Sequence, residues 1–186
     1  MKLLLSLLPI LWLSLTLQAH AEDPTPPPAE LTTLTQTFIT ALKNDDATAI
    51  AACWHSPEVL AKLKEAEATA ASGTSTTEIN VPKEREKELK RREKDLTRNK
   101  QRIDEIRTLI TKHFGSLSDL KFVSLEVAPD DDASDPTAAF DDVEIHLLAA
   151  DGTRLRLEID DALRIESVWK FKGRVEDKLS IELTDF

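Results

Sequence analysis

Apolar side chains recur at three- and four-residue steps through Leu31, Leu34, Phe38, Ala41 and Leu42, the spacing that lines one face of a helix. Asn44-Asp45-Asp46 closes that helix, and Ala47, Ile50, Ala51 and Trp54 carry a short second one. Ser56 is placed to cap a third, with Pro57 in its first turn and Leu60, Leu63 and Ala66 along it; residues 70–77, small and polar, then read as a loop. Pro82 opens the longest periodic segment, which runs to Phe114 and is stopped by Gly115. Its first half is nearly all charge, with Glu86 and Lys90, and Glu88 and Arg92, one helical turn apart. Leu89, Leu96, Ile103 and Ile110 stand at seven-residue intervals, and Ile106 adds a second seam position only near the end. A coiled coil would want apolar side chains where Arg92 and Asn99 stand. The pattern therefore favours one charged helix, its C-terminal half docked and its N-terminal half projecting, over a dimeric coiled coil.

After Gly115 the period changes to alternation. A first strand is expected over residues 120–128, ending at Pro129 and an acidic loop with Asp130, Asp131, Asp132 and Asp135. A second, over residues 142–149, alternates Val143, Ile145 and Leu147 with Glu144 and His146. Asp151-Gly152 supplies a hairpin turn, because this dipeptide accepts positive φ angles. A third strand places Leu155, Leu157 and Ile159 on one face, Asp160-Asp161 turns the chain, and a fourth puts Leu163, Ile165, Trp169 and Phe171 on a shared face. Residues 178–184 read as a fifth strand. Helices followed by an antiparallel meander predict an α+β fold in which four or five strands curve around the helices.

The N-terminus changes the picture of where this fold works. Lys2, the apolar run over residues 3–17 and Ala19-His20-Ala21 have the form of a secretory signal peptide cleaved after Ala21. Residues 22–29 are then a proline-rich linker, and residues 30–186 a single domain in which 74–102 reads as a helical insertion. The expected product is exported and soluble, in the periplasm or the extracellular space, without a membrane anchor once the leader is gone. Cys53 is the only cysteine, so no internal disulfide can form, and a buried small hydrophobe is the ordinary role for it beside Ala51, Ala52 and Trp54.

The formal net charge is -10, yet residues 83–102 hold ten Lys or Arg against five Asp or Glu. So acidic a chain is a poor nucleic-acid binder, since phosphate neutralisation needs a dominant basic surface.

Phe38-Ile39-Thr40-Ala41-Leu42-Lys43-Asn44-Asp45-Asp46-Ala47 resembles the opening helix of the nuclear transport factor 2-like superfamily, also called SnoaL-like, with its cystatin-like cone fold. Residues 106–120, with Phe114-Gly115-Ser116-Leu117, resemble the bend from helix into sheet in small exported members, and Val168-Trp169-Lys170-Phe171-Lys172-Gly173 is similar to their Trp-containing strand and turn. The resemblance implies a cone of helices and curved sheet. Isomerase members pair an Asp base with a Tyr hydroxyl, and this chain has no tyrosine. No catalytic residue is carried over.

Phe38, Trp54, His55, Trp169 and Phe171 are the candidates for lining a pocket, and Lys90, Arg91, Arg92, Lys94 and Arg98 for a partner surface. No histidine stands in a metal-ligand spacing, the acidic loop lacks the regular pattern of a calcium site, and there is no nucleophile elbow or phosphate loop. No cofactor is expected. The sequence leaves two readings. One is an exported binding or interaction module, monomeric or homodimeric, for an unknown protein or a small apolar ligand. The other is a small cone-fold enzyme of isomerase, dehydratase or cyclase type using a buried Asp, Glu or His.

Overall fold

The computed structural model describes residues 26–72, 80–130, 138–176 and 179–181. The leader, most of the proline-rich linker, most of the loop over residues 70–77, the Asp131–Asp135 stretch and the end of the fifth strand lie outside the described residues.

Helix α1 (Ala29–Asn44) ends on Asp45, whose φ of 56° is the left-handed turn that lets its N–H return to the last carbonyls. Helix α2 (Ala47–Ala52) is capped by Asp46, which accepts from the Ala49 N–H at 2.9 Å. Helix α3 (Pro57–Ser72) starts with the Val59 N–H donating to Ser56 Oγ, and α4 (Val81–His113) with the Lys83 N–H donating to Asn80 Oδ1. Helix α4 packs along α3 as a hairpin and continues into the core.

The sheet is open, curved and antiparallel. Strands β1 (Lys121–Pro129), β2 (Ala139–Leu148) and β3 (Arg154–Ile165) follow one another as neighbours. The far edge of β3 is covered in succession by β4 (Val168–Phe171), by the strap of residues 172–176 and by β5 (Ser180–Ile181). The strap's Val175 bridges Ile159, and the Glu176 N–H donates to the Glu158 carbonyl at 2.9 Å.

Two expectations about the strands are corrected. Asp160-Asp161 does not end β3: Asp161 takes a φ of 52° inside the strand, and the chain reverses at Glu166-Ser167, both in the left-handed region. The register pairs Arg164 with Trp169 and Ala162 with Phe171, so Leu163 and Ile165 lie on the face opposite Trp169 and Phe171. The kink at Asp161 also shifts the inward side, which runs through Leu155, Leu157 and Ile159 and then Ala162.

The core fills the concave side of the sheet. Val143, Ile145, Leu147, Leu155, Leu157 and Ile159 meet Leu31, Phe38 and Leu42 of α1 and Ile103, Ile106 and Ile110 of α4, all essentially excluded from solvent. Each such aliphatic contributes roughly 1.5–3 kcal/mol on leaving water.

Candidate functional site

Helix α4 buries one face along most of its length, but not with one kind of residue. Ile103, Ile106 and Ile110 lie in the core; continuing that face toward the N-terminus brings Asn99, Asp95 and Arg92, 4%, 4% and 6% exposed. The expected projection of the N-terminal half into solvent is therefore replaced by a polar seam that grips the strap. Asn99 Nδ2 donates to the Gly173 carbonyl at 3.0 Å while its Oδ1 accepts from the Val175 N–H at 3.0 Å. Asp95 holds Arg174 at 2.9 Å, and Arg92 donates to the Lys172 carbonyl at 3.0 Å and to Glu88 at 2.6 Å. Trp54 Nε1 adds a second donor to the Gly173 carbonyl at 2.9 Å. A side chain at Gly173 would collide with the Asp160 backbone, so only glycine lets the strap lie this close to β3. Buried polar groups are tolerable when so fully partnered.

Arg92, at the N-terminal end of this seam, lines a half-enclosed cleft of about 590 Å³ between the α3–α4 hairpin and the sheet, together with its partners Glu88 and Lys172. Leu60, Leu63, Ala139 and Leu163 give it apolar surface. Charged groups surround them: Lys64 pairs with Glu67 at 2.9 Å, Arg91 with Glu88 at 3.5 Å, and Lys172 with Asp161 at 3.5 Å. Arg164, also in the lining, places its guanidinium 5.8 Å from the centre of the Trp169 ring.

The sequence-derived pocket candidates are placed elsewhere. Phe38, Trp54 and Phe171 form a packed trio with centroids 5.1–5.9 Å apart, and Trp169 stacks on Phe140 at 5.2 Å. The His55 N–H and the Phe171 carbonyl bond at 3.0 Å, and His55 Nε2 lies 2.9 Å from the Leu163 carbonyl, so that nitrogen carries the proton. Burial lowers the pKa of this ring, against the opposing pull of the Leu163 carbonyl, and favours the neutral form. His55 thus ties the end of α2 to the sheet from a buried position. Burial also pushes the Cys53 thiol up to about 11. Among the basic candidates, Arg91 and Arg92 line the cleft, Arg92 as a buried brace; Lys90 is exposed and pairs with Glu86 at 2.6 Å; Lys94 and Arg98 are exposed on α4.

One constellation escaped the sequence reading. On the outer face of the sheet, β1 and β2 bring Glu126, Glu144 and His146 together, with one ligand atom of each within 4.8 Å of the others. Glu144-x-His146 on a strand was the available signal, because residues two apart share a face; Glu126 enters only through the strand register.

No family model matches the chain, and no curated protein or solved structure matches it either. Among the described residues no helix is long and apolar enough to cross a membrane. The class that fold and cleft define is an α+β domain with a hydrophobic core between helices and sheet and a charged, half-open cleft.

Proposed function

We propose that the chain is an exported, soluble binding or interaction module of the nuclear transport factor 2-like superfamily, and that it meets its partner at the cleft between the α3–α4 hairpin and the sheet. The order of helices and curved antiparallel sheet is compatible with that family's cone. The observation that carries the functional reading is the apolar cluster buried against the inward face of the sheet, where a cone enzyme would need a cavity with an ionisable group against an apolar wall. Recognition then falls to the outer cleft. Apolar surface ringed by both signs of charge has the anatomy of a protein contact, and suits a protein segment better than a small apolar ligand.

Three charge reversals at exposed cleft residues, Lys64→Glu, Arg91→Glu and Arg164→Glu, test this reading. The triple variant is expected to melt within a few degrees of the parent and to lose at least tenfold in capture of its partner from the exported fraction. Undiminished capture by a folded triple variant would move the binding surface away from the cleft.

A further inference from the structure

The outer face of the sheet carries an arrangement that stability alone disfavours. The register sets Glu126 opposite Glu144 and Glu144 opposite Glu158, and the strap adds Glu176 beside Glu158, so four carboxylates form one row across four neighbouring segments. Asp142 faces Asp160 in the next row. Like charges directly opposite each other on a sheet repel, and nearby Arg156 answers only part of this, bonding Glu144 at 3.0 Å.

An imidazole stands at one end of this row. His146 Nε2 lies 3.4 Å from Glu126 Oε1. Two donors on a tetrahedral zinc ion, each about 2.0–2.1 Å from the metal, are separated by roughly that distance. A Glu144 carboxylate oxygen lies within 4.8 Å of both, on the same strand and face as His146, and reaches the same point by turning away from Arg156. The three donors come from paired strands, so the backbone holds them at fixed spacing before any ion arrives.

The geometry points to a site for a late first-row divalent cation such as Zn²⁺ on the outer face of β1 and β2, held by Glu126, Glu144 and His146. Imidazole with two carboxylates selects such an ion over calcium or magnesium, which take oxygen donors throughout. With three protein ligands, a tetrahedral ion keeps one position for water or for a donor from a partner. Arg156 is the built-in competitor, since it occupies the carboxylate that the ion needs. The acidic row supplies the field that draws the cation in.

Calorimetric titration of the full chain with zinc chloride alone, in a non-chelating buffer at pH 7.5, tests the site. Saturable binding of one ion is expected, weakened at least tenfold by His146→Ala and by Glu126→Gln, and tightened severalfold by Arg156→Gln. All three positions are on the solvent-facing side, and circular dichroism checks that each variant is folded. Absence of saturable binding would overturn the proposal. So would full affinity in the folded His146→Ala variant, which would assign the ion to other residues such as His113.

Discussion

Two stretches of the buried face of α4 reach the same degree of burial by opposite means. From Ile103 to Ile110 the inward face is aliphatic and packs on a sheet whose inward residues are aliphatic too. From Arg92 to Asn99 the same face is polar and packs on a stretch of backbone, the strap, where it meets the Lys172 and Gly173 carbonyls and the Val175 N–H. An aliphatic face needs only shape from its neighbour, whereas exposed backbone needs donors and acceptors at set positions. The polar stretch therefore does what the apolar one could not: it satisfies the strap, and at its N-terminal end Arg92 also lines the charged cleft.

This contrast can be pressed from both sides. Ile106→Ala, which empties volume in the apolar core, is expected to destabilise by about 3 kcal/mol in a denaturant titration. Asn99→Ala, which removes less volume but leaves the Val175 N–H without its acceptor, is expected to lose about 2 kcal/mol. Were Asn99→Ala neutral, the polar seam would be incidental to stability.

The smallest effect concerns the strap's other side. Asp160 donates its backbone N–H to the Arg174 carbonyl at 2.8 Å, and its carboxyl is pushed up to about 7 by burial, by a hydrogen bond with Glu176 and by neighbouring acids. A raised acid holds, in the folded state, a proton that the unfolded chain releases near pH 4, so its stabilising contribution is complete below that pH and is lost as pH rises through 7. Asp160→Asn should match the parent near pH 4 and exceed it at pH 8 by about 1 kcal/mol, a figure reduced for partial solvent screening. Midpoints of unfolding at the two pH values give the comparison; a variant no more stable at pH 8 would mean that the carboxyl pair carries no strain.

Much of the fold was legible because periodicity reports burial. The alternation of Val143, Ile145 and Leu147 and the three- and four-residue steps of α1 reflect contact with an apolar partner, and both faces lie where the pattern put them. The rule failed at Arg92, Asp95 and Asn99, since a hydropathy pattern registers a buried polar residue as exposed. Yet they stand at the inward positions that extend the Ile103, Ile106 and Ile110 face backward, so the phase of the helix held the missing information. Phe38, Trp54 and Phe171 show a different limit: large aromatics suit a pocket wall or plain core equally from sequence, and only the fold shows that these three pack against each other. The cleft and the Glu126, Glu144 and His146 group depend on strand register and helix docking, which join residues far apart in sequence.

The central claim is that the polar half of α4 holds the strap in place as a unit distinct from the core. Amide hydrogen exchange followed residue by residue in the parent and in Asn99→Ala tests it most directly, at Val175 and Glu176 against Ile145 and Leu157. The account predicts that protection at Val175 and Glu176 falls at least a hundredfold in the variant, beyond any change at Ile145 and Leu157. Equal losses at all four amides, or a Val175 amide still protected without its Asn99 acceptor, would contradict it.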